Sequence, residues 1–255
     1  MITTGAPMKT AFITGTSSGL GRALAEQLLG TGCAVYGCSR RGCDLAGIHD
    51  RVLDLTDAQA VAGSLNSLLA DVYGLDLVVL NAGVLGRISD LVDTPLDDLK
   101  QVMEVNLWAN KRLMDWLHDW GRPVDQVVMI SSGAAVLGNR GWGGYALSKA
   151  ALNMLAKLYA HEFPRSHLTA LAPGIIDTAM MDHLCAEADS EAFPALERLR
   201  RARGTEAMPG PRDAARRLLS VLPRLRDWPS GSFVDIREIL DPEGYAGLFG
   251  RRPPR

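Results

Sequence analysis

The chain predicts an α/β protein whose doubly wound parallel sheet is covered by helices on both faces. Three observations lead there. Short apolar runs alternate with helical patterns along nearly the whole length, the rhythm of repeated β-α-β units. Several of those runs, such as Leu75-Asp76-Leu77-Val78-Val79-Leu80 and Val127-Val128-Met129-Ile130, are nearly continuous in apolar residues, as suits strands buried on both faces. A glycine-rich turn directly follows the first run. Strands are expected at 9–14, 33–38, 51–54, 75–80, 124–131, 167–172 and 232–236, and helices at 20–30, 57–73, 95–120, 144–162 and 212–222.

The first strand runs into Thr14-Gly15-Thr16-Ser17-Ser18-Gly19-Leu20-Gly21. Glycines between a strand and a helix permit a tight turn and let the backbone approach a pyrophosphate, which the N–H groups opening the helix attract. The spacing is G-x-x-x-G-x-G, so Gly15, Ser17, Ser18, Gly19, Leu20 and Gly21 are candidate cofactor contacts. The second strand ends in Cys38-Ser39-Arg40-Arg41, with no carboxylate to receive the two ribose hydroxyls of NAD. A guanidinium there suits a 2′-phosphate. The expected cofactor is therefore NADP(H), with Arg40 as the main contact and Ser39 or Ser17 assisting. The alternative is that Arg40 and Arg41 are solvated loop charges.

Thr94-Pro95 reads as a cap followed by proline at the first helical position of 95–120. Trp108, Trp116 and Trp120 recur on that helix and read as packing. After the strand at 124–131 comes Ser132. Thirteen residues later Tyr145 and Lys149 stand one turn apart, which places phenol and ammonium on one helical face. A Tyr-x-x-x-Lys pair alone is weak; behind a glycine turn it points to protonation of a carbonyl oxygen during hydride transfer. A free phenol titrates near ~10, and bringing it to ~7 takes about 4 kcal/mol. An ammonium ~4–5 Å away supplies roughly that at an effective dielectric of ~20. Tyr145 is thus the candidate acid, Lys149 its electrostatic partner and cofactor ribose contact, and Ser132 the hydroxyl that fixes the substrate oxygen. Each has a bland counterpart: packing, a surface charge, a strand-end cap.

More than thirty residues separate Thr178 from Pro211. Connections that long are usually functional, and this one carries helical patterning, so 178–211 reads as a small substrate lid within one domain spanning 8–250. Arg198, Arg200, Arg201 and Arg203 near its end suit an anionic substrate or, given Glu187, Glu191 and Glu197 among them, a solvated face. The tail 251–255 is expected to be disordered, and residues 1–7 read as an extension ahead of an alternative start at Met8.

With 27 Lys and Arg against 29 Asp and Glu among 255 residues, the net charge is −2. That field favours neither nucleic acid nor an anionic membrane, and a small-molecule substrate is expected. The four cysteines, Cys33, Cys38, Cys43 and Cys185, form no C-x-x-C pair; with no secretory signal or membrane-length apolar run, the expectation is a reduced cytoplasmic protein. The five histidines form no metal constellation, and no metal is expected.

Together, Thr14–Gly21, Asn81-Ala82-Gly83, Asn106, Ser132, Tyr145, Lys149 and Pro173-Gly174 make the chain resemble the short-chain dehydrogenase/reductase family over roughly 9–236. The resemblance implies a single Rossmann-like domain with a seven-stranded parallel sheet. It assigns Asp54 and Leu55 to the adenine edge and Asn81, Ala82 and Gly83 to the wall beside the cofactor. Pro173, Gly174, Ile176 and Thr178 go to the nicotinamide, and Asn106 to a water linking the lysine to solvent. It also implies a homodimer or homotetramer through the helices carrying Asn106 and Tyr145. More narrowly, Ile130–Ala135, Arg140–Tyr145, Ala172–Met180 and Ser230–Asp235 are similar to sepiapterin reductases and bacterial benzil reductases. In the former, a carboxylate matching Asp235 anchors the pterin's amino-pyrimidine edge. Asp235 fits that role and that of a cap for 236–240 about equally, and Trp142 fits pocket lining and packing equally. The leading expectation is an NADPH-dependent reductase of ketones or vicinal dicarbonyls. The alternatives are a 3-oxoacyl-carrier-protein reductase, an alcohol dehydrogenase of the same family, or a non-catalytic NADP sensor.

Overall fold

A computed structural model describes residues 8–187 and 193–249. Seven parallel strands form one sheet in the order β3-β2-β1-β4-β5-β6-β7. They are β1 (Thr10–Thr14), β2 (Ala34–Ser39), β3 (His49–Val52), β4 (Leu75–Leu80), β5 (Val124–Ile130), β6 (His167–Ala172) and β7 (Ser232–Asp235). The order reverses between β1 and β4, which opens a crevice at their carboxyl ends. This is a Rossmann-like α/β fold, as expected.

The two-residue period of the strands sorts their side chains onto two cores. Phe12, Val78, Leu80, Val127 and Met129 face one side. There they meet α2 (Ala58–Leu68), α4 (Ala109–Trp120) and α6 (Gly143–Glu162). Ala11, Ile13, Leu77, Val79, Val128 and Ile130 face the other. They pack against α1 (Gly19–Gly30) and α9 (Pro211–Val221). Continuous apolar runs were therefore the correct sign of strands buried on both sides.

The long helix expected at 95–120 is three pieces. It opens as α3 (Leu96–Met103), widens into a π turn over Glu104–Trp108, and continues as α4. Thr94 does not cap it: its hydroxyl donates to Asp90 O at 2.8 Å, and Pro95 stands just outside α3. Trp116 is buried and stacks on Trp120 at 5.5 Å between ring centres, whereas Trp108 is exposed. Eight residues leave Trp108 about 80° round a regular helix from Trp116, so no single stripe results. A short helix, α5 (Ala134–Leu137), follows Ser132.

The 178–211 segment folds as α7 (Ala179–Glu187) and α8 (Pro194–Ala202). A third apolar cluster of Leu85, Trp142, Met181, Leu184, Leu196, Leu199 and Met208 holds it against the loops after β4 and β5. Beyond β7 the chain closes with α10 (Ile236–Leu240) and α11 (Pro242–Phe249). The expected disorder of 251–255 and the reading of 1–7 lie outside the described residues. No helix among the described residues is long and apolar enough to cross a membrane.

Candidate active site

The carboxyl ends of β1, β4, β5 and β6 bring the predicted motifs together. Gly15 and Gly19 adopt φ of +77° and +57°, where a side chain would be strained. Gly21 is required for space instead: a Cβ there would fall 2.3 Å from Gly15 O and 2.5 Å from Asn81 Nδ2. Leu20 is buried and ties α1 to the sheet. Ser18 precedes α1 without a side-chain capping bond, and no acid occupies the first turn. The free N–H groups of that turn can receive an anion.

Asn81 and Ala82 brace this loop. The Asn81 amide donates to Thr14 O at 2.9 Å, and the N–H groups of Asn81 and Ala82 converge on Thr14 Oγ1 at 2.9 and 3.0 Å. Gly83 sits against Asn106 and Lys149, 3.1 Å from Oδ1 and 3.6 Å from Nζ measured from a Cβ position. From the opposite side, Thr178 Cγ2 lies 3.6 Å from a Cβ position on Gly19. Pro173, Gly174 and Ile176 connect β6 to that threonine, with Gly174 at φ +83° and Ile176 packed on the α1–α9 core.

At the end of β2 the arginine facing the glycine loop is Arg41, not Arg40. Arg41 Nη2 donates to Ser18 Oγ at 3.1 Å and reaches Ser17 Oγ at 3.5 Å. A cavity of about 500 Å³ opens beside it, lined by Ser17, Arg22, Arg41, Gly42, Cys43 and Asp44. Arg40 is exposed and lies towards Asp54. Both arginines lie in the bend that follows β2, Arg41 on the glycine-loop side and Arg40 on the Asp54 side. The Ser39 hydroxyl is enclosed, with no hydrogen-bond partner among the described residues. Asp54 is exposed and held below the usual carboxylate range, first by the Thr56 N–H and then by the Thr56 hydroxyl. Leu55 is buried and its carbonyl accepts from Arg112 at 3.1 Å. Sequence reasoning missed Asp50, which joins the two loops: Oδ1 accepts from Thr16 Oγ1 at 2.7 Å and Oδ2 from Cys43 N at 2.9 Å.

At the reaction centre, Ser132 follows β5 and Tyr145 and Lys149 project from α6. The Tyr145 ring is partly covered, and crowding at its hydroxyl pushes the phenol upward, the Ser132 hydroxyl drawing it part of the way back. Lys149 is buried and lowered to about 8 by loss of hydration. Its Nζ donates to Ile130 O at 2.7 Å and stands 5.7 Å from the Tyr145 ring centre. The expected lowering of the phenol by the lysine is thus not what the protein alone provides. A low dielectric disfavours both charges, and the ammonium is turned to a carbonyl. Asn106 lies in the π turn and is fully buried. Its Oδ1 accepts from Val84 N at 2.8 Å, and Nδ2 donates to Val84 O at 2.8 Å and Ser148 Oγ at 2.9 Å. Its main-chain carbonyl accepts from Asn110 Nδ2 at 2.7 Å. The residue ties the β4 loop to α6: both amide hydrogens are engaged, while Oδ1 keeps one lone pair free to accept from a water.

The two remaining substrate candidates are both buried. Trp142 is buried in the cluster under α7 and α8, against which Tyr145 also packs. Asp235, 1% exposed, caps α10 through the Arg237 N–H at 3.0 Å. Both its oxygens also accept from the Arg237 guanidinium, Oδ1 from Nε at 2.8 Å and Oδ2 from Nη2 at 2.6 Å. Arg237 had no motif to announce it.

Two relatives named for their activity are similar to this chain in sequence. A benzil reductase ((S)-benzoin forming) of Bacillus subtilis is 29% identical over 253 residues, covering 91% of this chain and all of the relative. A benzil reductase ((S)-benzoin forming) of Saccharomyces cerevisiae is 32% identical over 192 residues, 68% of this chain and 73% of the relative. Among solved structures, a short chain dehydrogenase from Burkholderia cenocepacia in complex with NADP superposes with a TM-score of 0.71 at 25% identity, covering 89% of this chain and 95% of the other. The short chain dehydrogenase family model matches residues 9–189, and the chain belongs to that family.

Proposed function

We propose that this oxidoreductase reduces a ketone or vicinal dicarbonyl with NADPH, Tyr145 donating the proton. The observation that carries the reading is the meeting of Ser132, Tyr145 and Lys149 at the end of β5, on the same sheet edge as the glycine loop. The cradle fits a dinucleotide: Gly21 has no room for a side chain, the first turn of α1 is open to an anion, and Arg41 stands beside Ser17 and Ser18. Arg41 favours a 2′-phosphate, hence NADP(H).

When bound, the nicotinamide supplies a hydride to the carbonyl carbon. The remaining work falls to the chain. Ser132 fixes the carbonyl oxygen by hydrogen bonding. Burial keeps the Tyr145 phenol protonated at neutral pH, the form that an acid must hold. The phenolate left behind is stabilised by the Lys149 cation, which is present below about 8 and lost above it. Reductive kcat/KM is therefore expected to fall as pH rises through about 8; a flat profile from 6 to ~10 would remove Lys149 from this role.

The 178–211 segment is the proposed lid, since α7 and α8 pack on the loop leading into Tyr145. A homodimer or homotetramer is supported by Leu147, Met154 and Leu158, exposed along one side of α6; sedimentation of the protein checks it. The central test is NADPH oxidation with benzil and sepiapterin, with Tyr145→Phe as control. Turnover that drops ~10²–10⁴-fold in the variant supports the reading. Equal turnover by Tyr145→Phe, or none by the parent despite NADPH binding, rejects it.

A further inference from the structure

We propose that Arg237, clamped by Asp235, determines specificity by receiving a second acceptor oxygen on the substrate, a neighbouring carbonyl or a carboxylate. The inference deepens the carbonyl-reductase reading and rests on it for the position of the reacting carbonyl. Four observations support it. The carboxyl ends of β5, β6 and β7 lie side by side, with Ala172 of β6 level with Asp235. Arg237 therefore stands two strands from Ser132, at the same edge. Its Nη2 lies 3.3 Å from a Cβ position on Gly133, the residue next to Ser132, and Asp235 Oδ2 lies 3.9 Å from it. The absent side chain at Gly133 leaves the guanidinium uncovered on that side.

The pair also divides the donors unequally. Asp235 takes Nε and one N–H of Nη2. No printed bond engages Nη1 among the described residues, and the Arg237 side chain is 31% exposed. A guanidinium has five N–H donors in a fixed fork, and the bidentate clamp sets their direction before any substrate arrives. What the end of β7 presents is thus a donor edge. An amino-pyrimidine, which would need a carboxylate acceptor, finds Asp235 already engaged. A 1,2-diketone or a 2-oxo acid places an acceptor oxygen where the donors are.

The experiment compares benzil, phenylglyoxylate and deoxybenzoin, the last lacking the second oxygen, in the parent and in a double variant Asp235→Asn/Arg237→Met. Changing both residues avoids leaving a buried carboxylate unpaired; Arg237→Lys is the charge-conserving control. Kinetics with NADPH are paired with calorimetric binding of the same compounds to the protein–NADP+ complex. The expected result is a loss of about 10- to 100-fold in affinity and kcat/KM for the two-oxygen compounds, with deoxybenzoin little changed. Benzil against phenylglyoxylate then shows whether the neutral or the anionic acceptor is preferred. Equal losses on all three compounds, or no loss on any, overturn the role of Arg237 even if the parent is an active reductase. Selective binding lost in the double variant, with no turnover by the parent, sustains the Arg237 inference and overturns the reductase reading instead.

Discussion

The glycine loop and the 178–211 segment approach each other at Gly19 and Thr178, yet different forces hold them. The loop is set by main-chain approach and short side chains reaching across strands: Thr14 to Asn81 and Ala82, Thr16 to Asp50, Asp50 to the Cys43 N–H. At Gly21 there is no space for one more carbon. The 178–211 segment rests on an apolar cluster separate from both sheet cores, supplemented by exposed ion pairs such as Arg203 with Asp177 at 3.1 Å. Such pairs contribute little in water. A small apolar patch is the kind of contact that opens locally without unfolding the domain. The contrast is thus between a loop fixed by hydrogen bonds and steric contact and a segment held mainly by a small apolar cluster.

The sharpest way to break this contrast is Gly21→Val. It should weaken NADPH binding at least ~100-fold or prevent folding, because the new atoms meet Gly15 O and the Asn81 amide. Fluorescence titration giving a Kd within threefold of the parent would refute steric control of the loop. Next comes a pair of leucine truncations. Leu77→Ala, in the sheet core, should cost about 2–5 kcal/mol in denaturant unfolding. Leu196→Ala should lower the global midpoint less while raising substrate KM, with NADPH Kd unchanged. Equal midpoints for the two would mean that the lid is part of the main cooperative unit.

A third comparison separates the two arginines. Arg41→Ala should cut the preference for NADPH over NADH about 10- to 100-fold, and Arg40→Ala less than ~3-fold; the reverse order would restore Arg40 as the phosphate contact. The smallest effect is expected of Arg203→Ala, which should move the Tm by no more than a degree or two. A large drop would show that its two carboxylate partners, Asp177 and Asp182, do more than decorate the lid.

Much of this arrangement was legible without coordinates. The strands fall within a residue or two of their expected places: the buried ones leave apolar runs, whereas β3, mostly exposed at the sheet edge, leaves none and is displaced by about two residues. Gly15, Gly19, Gly21, Ser132, Tyr145 and Lys149 converge because spacing along strand and helix fixes their placement. What stayed hidden depends on direction and on distant partners. Arg40 and Arg41 are neighbours in sequence, and only the path after β2 decides which faces the loop. Asp50 earns its place through residues 34 positions before it and 7 before it, with no local signature. Asp235 could be read as a free carboxylate or as a cap, and the clamp by Arg237 two residues later decides it. Likewise the π turn at 104–108 leaves no mark in hydrophobic periodicity.

That turn bears on which changes the gene could accept. A π turn holds one residue more than the α-helical path it replaces, so α3 and α4 are joined with an offset in phase. Replacing a side chain within 104–108 leaves the offset intact. Deleting one residue would restore a regular helix and rotate everything on one side by about 100°. Either Asn106 would leave Val84 and Ser148, or Leu113, Met114 and Leu117 would leave the core. The stretch should therefore tolerate substitutions far better than length changes, and shortening it by one residue should disrupt the site and the core together.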